Sequence, residues 1–315
     1  MRSDKTLAFV FPGQGSQSVG MLSEFTAPGT AIEETFAAAS MILGFDLWKM
    51  VQQGPESALD KTVNTQPALL SAGVAIWRLW CEAGGVIPGI LAGHSLGEYT
   101  ALVCAGSLKF EEAVGLVADR GRFMQEAVPD RAGAMAAILG LSDAQVEAAC
   151  MEAAGDEVVA PANYNAPGQV VISGHRNAVQ RAMQRAREAG AKRTLLLSVS
   201  VPSHCALMAP AARRLARRLA SAHITDAGIG VVQNVDAVER THAASIQVAL
   251  VRQLHCPVRW VDCVRGLRTR GVTRVIECGP GRVLSGLIRR IDGEMEIGAL
   301  CDPAGLREAL DGIIA

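Results

Sequence analysis

Aromatic side chains are scarce in this chain of 315 residues: seven Phe, four Trp and two Tyr make 4% of it. Nucleic-acid bases would find few stacking platforms. Charge offers no substitute, because 30 Lys and Arg stand against 31 Asp and Glu for a formal net charge of -1. A polyanion held by a generally basic surface is therefore excluded, and no nucleic-acid partner is expected. Long apolar runs are also missing. The most apolar stretch, 87–108, is broken by His94, Glu98 and several glycines, far short of the roughly 18 uninterrupted residues of a membrane span. Only the five apolar residues Leu7 to Phe11 precede Pro12, too few for a secretory core, so a cytoplasmic protein without a membrane partner is expected. The eight cysteines include no C-x-x-C pair. Reduced, mostly buried thiols follow, with no metal site and no disulfide framework.

What the chain does have is bulk, aliphatic residues and clustered glycine. Half of it is apolar, 32 residues are Gly, and the length suits one large or two ordinary domains. Apolar runs at Thr6 to Phe11, Ile87 to Ala92 and Arg274 to Cys278 each precede a helical pattern, as buried parallel strands do. The middle differs. Runs and helices from Ala134 to Val199 follow the order β-α-β-β-α-β, with helices predicted at Asp143 to Ala153 and Asn177 to Ala189. The expected fold is thus an α/β protein: a large parallel-sheet domain from 1–131 and 201–315, with a ferredoxin-like subdomain inserted at 132–200.

The first glycine cluster, Gly13-Gln14-Gly15-Ser16-Gln17-Ser18, follows a strand but has Ser18 where a dinucleotide fingerprint needs its third glycine. It serves equally as a plain connection or as a turn whose backbone N–H groups face an anion. The second, Gly93-His94-Ser95-Leu96-Gly97, is a G-x-S-x-G between a strand and a helical stretch, the context of a nucleophile elbow. It singles out Ser95 as a nucleophile, with the Leu96 N–H at a helix start where negative charge is favoured. A structural turn serine is the bland alternative.

A serine needs a base. His94 is adjacent but should point elsewhere around the turn. His204, in the loop Val201-Pro202-Ser203-His204 where the chain re-enters the large domain, is the preferred candidate over a merely satisfied histidine. A third group stands out on the helical stretch Glu112 to Val128, whose apolar stripe of Ala113, Leu116, Val117, Met124 and Ala127 contains Arg120, while Arg122 projects to the polar side. An inward guanidinium requires an anion. Glu98 would make it structural; a substrate carboxylate would make it a specificity residue, and the set then suggests transfer of a dicarboxylic half-thioester.

Phe11-Pro-Gly-Gln-Gly-Ser-Gln17, Gly93-His-Ser-Leu-Gly-Glu-Tyr99, Arg120-Gly-Arg-Phe-Met-Gln125, Asn163-Tyr-Asn165, Val201-Pro-Ser-His204, Gln253-Leu and Glu277-Cys-Gly-Pro-Gly281 occur in that order along nearly the whole chain. Together they resemble the malonyl-CoA:acyl carrier protein transacylases of bacterial fatty acid synthesis, whose hydrolase-like core with a ferredoxin-like insert matches the element order above. The resemblance implies a malonyl-Ser95 intermediate, His204 as base, the backbone carbonyl of Gln253 orienting it, and the N–H groups of Gln14 and Leu96 as the oxyanion hole. It implies that Arg120 binds the malonyl carboxylate, with Asn165, Asn163, Met124, Ser203 and His94 as supporting residues. No cofactor is implied, malonyl-CoA being a substrate, and the implied partner is an acyl carrier protein on a monomeric enzyme. Carrier proteins are acidic, so a local basic face is expected; Arg181, Arg185, Lys192 and Arg193 on the insert are candidates, as are Arg213, Arg214, Arg217 and Arg218. The rival readings are a related acyltransferase of polyketide synthesis or malonate decarboxylation, a serine thioesterase or hydrolase using His223, His242 or His255, and a carrier-binding scaffold without activity.

Overall fold

Among the described residues ten strands build two sheets. They are β1 (Ser3–Phe11), β2 (Ile87–Gly93), β3 (Gly133–Leu139), β4 (Val159–Ala166), β5 (Gln169–His175), β6 (Arg193–Leu196), β7 (Gly230–Val232), β8 (Glu239–Arg240), β9 (Arg274–Glu277) and β10 (Glu296–Ala299). The computed structural model describes residues 3–25, 30–129, 131–199 and 201–314; the outer limits 1 and 315 and the boundary residue 200 of the expected domains lie outside them.

The larger sheet has the order β10-β9-β1-β2-β7-β8, parallel throughout except for β8 against β7. Its central strand shows why the sequence reads as an unbroken apolar run. Successive side chains of a strand point to opposite faces. Leu7, Phe9 and Phe11 join the core under the helices Thr62–Glu82 and Phe110–Ala127, while Ala8 and Val10 join a second core with Trp260, Val264, Leu284 and Ile288. From Leu7 to Phe11 both faces are covered and every position is apolar, while the exposed start of the strand, Ser3 to Thr6, is polar.

The smaller sheet has the order β4-β5-β3-β6, antiparallel in every pair. One face packs on the helices Asp143–Ala154 and Arg176–Glu188 through Ala136, Ile138, Ile172, Val146, Val179 and Met183. The first of these helices opens with a reciprocal cap between Ser142 and Gln145, which satisfies backbone donors left over at a helix start. The other face presents Met135, Asn163, Asn165 and Val171 to a cleft above the larger sheet. Tyr164 N–H donates to the Val258 carbonyl at 2.9 Å and Val258 N–H to that of Ala162 at 2.8 Å, fastening β4 to the larger body at the rim of this cleft. The expected order of elements is therefore present. One strand ends early: β6 stops at Leu196, and Leu197 and Val199 turn to line the cleft.

Candidate active site

The elbow between β2 and the helix Gly97–Cys104 is too tight for any side chain at its flanks. A Cβ on Gly93 would stand 2.0 Å from the Gly97 carbonyl group, and one on Gly97 would stand 2.0 Å from the Phe11 carbonyl oxygen. Ser95 at the apex is forced to φ 51°, the left-handed region, a strain of about 1–3 kcal/mol for a residue with a Cβ. That geometry lifts its hydroxyl into an open cleft of about 740 Å³.

His204 meets it there. Ser95 Oγ lies 2.7 Å from His204 Nε2, and His204 Nδ1 lies 2.7 Å from the Gln253 carbonyl oxygen. A carbonyl only accepts, so Nδ1 carries the proton and the Nε2 lone pair is left for the serine hydroxyl. No carboxylate takes part. Burial and the adjacent Arg120 cation push the His204 pKa down to about 3, so the imidazole is held neutral.

Arg120 is 1% exposed and points inward. Nη1 donates to Gln66 Oε1 at 2.7 Å, and Nη2 donates to Gln253 Oε1 at 3.0 Å and to Ser95 Oγ at 3.2 Å. Every acceptor is neutral. Glu98 is near enough to act on it through space but forms no ion pair with it; the Glu98 carboxylate instead accepts the Asn234 backbone N–H at 2.8 Å. Arg120 is thus a buried cation beside Ser95 whose direct hydrogen-bond acceptors are all neutral.

Two backbone donors border the same cleft. Gln14 and Leu96 both line it, and among the described residues neither backbone N–H has an acceptor. Met124, Ser203, Asn163, Asn165 and His94 line it as well. His94 turns from Ser95: its Nε2 lies 2.9 Å from Asn165 Oδ1 and its ring packs edge-on against Trp260. The histidines of the hydrolase reading do not arrive; His242 sits against Asp226 on the surface, and neither His223 nor His255 lines the cleft.

The sequence profile of the acyl transferase domain matches residues 8–292. The chain belongs to this acyl transferase family. It is 56% identical over 303 residues to the malonyl CoA-acyl carrier protein transacylase of Salmonella typhimurium, covering 96% of this chain and 98% of that protein. Two solved structures superpose closely. The malonyl-CoA:acyl carrier protein transacylase of Xanthomonas oryzae gives a TM-score of 0.97 at 53% identity, covering 98% of this chain and 99% of that one. A type II PKS acyl-carrier protein in complex with its malonyl-transacylase gives 0.96 at 52%, covering 98% and 100%.

The acyl transferase site also contains residues that the sequence patterns did not single out. Gln66 and Asn234 are buried amides with polar neighbours in sequence, Asn64 and Thr65 beside one and Gln233 and Asp236 beside the other, so no local pattern marks them. Glu98, in the first turn of the elbow helix, was considered only as a partner for Arg120. Gln253 was expected to act through its carbonyl alone, yet its amide nitrogen donates to the Ser95 carbonyl at 2.9 Å and its amide oxygen accepts from Arg120. Of the basic candidates on the insert, Arg181 is paired with Glu157, and Arg185 with Glu188 and Glu152. Lys192 and Arg193 are exposed, and no carboxylate pairs with either among the described residues.

Proposed function

We propose that this acyl transferase moves a malonyl group from malonyl-CoA to the phosphopantetheine thiol of an acyl carrier protein by way of malonyl-Ser95. The observation that carries the reading is Arg120, a buried guanidinium 3.2 Å from the nucleophile with no carboxylate of the protein bound to it. A malonyl carboxylate seated on that fork places its thioester carbonyl over Ser95 Oγ, which an acetyl group would not do. His204 takes the hydroxyl proton as Oγ bonds to the carbonyl carbon, and the resulting oxyanion receives the Gln14 and Leu96 N–H donors. Collapse breaks the carbon–sulfur bond, and CoA leaves with the proton from His204. The second half repeats the chemistry in reverse: the carrier thiol gives its proton to His204, sulfur attacks the malonyl ester, and Ser95 recovers the proton.

No step calls for a metal or redox group. We read the enzyme as a cytoplasmic monomer supplying fatty acid synthesis; no described helix is long and apolar enough to cross a membrane. The carrier-bound transacylase at 52% identity supports a second reading, service to polyketide assembly, through the same site. Incubation with malonyl-CoA followed by intact-mass measurement is expected to show one malonyl adduct, absent in Ser95→Ala and discharged by holo carrier protein. Free malonate as the dominant product with carrier present would make the protein a hydrolase, and no adduct would make it a scaffold. Relative rates with fatty-acid and polyketide carrier proteins separate the two pathways.

A further inference from the structure

We infer that Asn234 is a positioning residue of the transfer reaction: backed by Glu98, its side-chain amide fixes the Ser95 backbone from which the oxyanion donor of Leu96 is aimed. The inference rests on the function proposed above.

Asn234 follows β7, is fully buried and does not line the cleft, so it meets no substrate. Its Oδ1 accepts the Ser95 N–H at 2.7 Å, its Nδ2 donates to the Gly93 carbonyl at 2.7 Å, and its own N–H donates to Glu98 Oε2 at 2.8 Å. One side chain thus spans the elbow from strand end to apex. From the other side Gln253 Nε2 holds the Ser95 carbonyl. The Ser95 carbonyl and the Leu96 N–H belong to one planar peptide group and point in opposite directions, so fixing the residue at its N–H and its carbonyl fixes the direction of the Leu96 N–H as well. An oxyanion donor works only when aimed in advance at the place where charge develops. Ser95 is in the left-handed region, and without these two amides its backbone would relax toward commoner angles, swinging both Oγ and the Leu96 donor. Glu98 belongs to the same chain of bonds. Burial pushes the Glu98 pKa up to about 7, and in either protonation state its Oε2 can accept the Asn234 N–H and so hold that residue in place.

The test is rapid-quench malonylation of Ser95 read by intact mass, giving a rate at saturating malonyl-CoA and a half-saturation concentration, with melting temperatures alongside. Wild-type malonylation and its loss in Ser95→Ala stand or fall with the function itself, so failure there is distinguishable from failure of this assignment. In Asn234→Ala the saturating rate is expected to fall about 10- to 100-fold, with half-saturation within about threefold of wild type because Arg120 is untouched. Glu98→Ala should fall in the same direction, Glu98→Gln should regain most of that loss by restoring an acceptor, and the double substitution to Ala should be no slower than Asn234→Ala, as expected of one chain of bonds. A folded Asn234→Ala with a saturating rate within threefold of wild type, or with its loss confined to half-saturation, overturns the assignment. If Asn234→Ala does not fold, Glu98→Ala carries the same criterion, since its side chain does not touch Ser95.

Discussion

In the proposed reaction, Arg120 is the residue on which substrate choice turns. A fork that finds only Gln66, Gln253 and the Ser95 hydroxyl is under-satisfied for a cation, and its Nε has no partner among the described residues. Arg120→Ala should lower kcat/KM for malonyl-CoA about 10²- to 10³-fold, the loss of about 3–4 kcal/mol typical of a desolvated charge pair with one partner removed. Acetyl-CoA, which never used the fork, should lose far less, and a parallel assay of both thioesters reads the ratio. An equal loss for both would make Arg120 a structural residue. The same cation acts on His204. Its folded pKa near 3 lies below the ordinary value of about 6.5, so the folded enzyme keeps a neutral base on descending well past pH 6. Ser95 malonylation measured as kcat/KM should therefore show its acid limb below about pH 5, and a limb centred between 6 and 7 would contradict the buried geometry. The sign for stability follows from the same shift. Below about pH 6.5 the unfolded chain takes up a proton that the folded chain refuses, so stability falls with falling pH by up to about 1.4 kcal/mol per unit until His204 itself titrates. His204→Gln should remove that part of the acid sensitivity in urea titrations at pH 7 and pH 5. Arg120 and His204 were legible because each breaks a local pattern, an arginine in an apolar stripe and a histidine in a junction loop. Gln66 and Asn234 were not, because a neutral amide among other polar residues carries no signal of what it will touch across more than fifty residues of chain.

The elbow shows the conflict between stability and function within one element. Its shape demands φ 51° at Ser95, where glycine is at ease and alanine is not. Both Ser95→Ala and Ser95→Gly remove the nucleophile and should be equally inactive, yet Ser95→Gly should be the more stable by about 0.5–1 kcal/mol, the left-handed preference less the extra chain entropy of glycine. Thermal melting of the two variants decides it, and equal stabilities would mean that the turn carries no strain. Among the elements themselves, the sequence made visible those whose burial is one-sided or complete over many residues: β1 and β2 as apolar runs, the helix Phe110–Ala127 as a stripe, and the four strands and two helices of the small sheet. It did not reveal β7, β8 and β10, of three, two and four residues, which are too short to carry a period. Asn234 leaves the sheet at the end of β7, which is why its part in the elbow was equally hidden.

At the scale of the molecule, a net charge of -1 hides an uneven surface. Of the eight arginines on the helices Arg176–Glu188 and Ala209–Ala220, four are matched to carboxylates: Arg181, Arg185, Arg214 and Arg218 sit in ion pairs. What sets Lys192 and Arg193 apart from the other unpaired cations is place: they stand at the start of β6, the edge strand whose continuation through Leu197 and Val199 lines the cleft. Four to seven residues of chain, at most about 13–23 Å, separate them from the lining. That is a span suited to a carrier protein resting on the rim while its phosphopantetheine arm reaches Ser95. Leu195 and Leu196, exposed at 46% and 41%, give the same edge an apolar footing between the cations and the cleft. Lys192→Glu with Arg193→Glu should then raise KM for the carrier protein several-fold, more at low salt than at high, while malonylation of Ser95 by malonyl-CoA keeps its wild-type rate. Arg181→Glu, which breaks an internal pair with Glu157 and two carbonyl contacts, should instead lower the melting temperature and leave KM for the carrier protein near wild type. Steady-state transfer with carrier protein varied at two ionic strengths separates these outcomes. An unchanged KM in the double charge reversal, or an equal fall in both half-reactions, would place docking on another face.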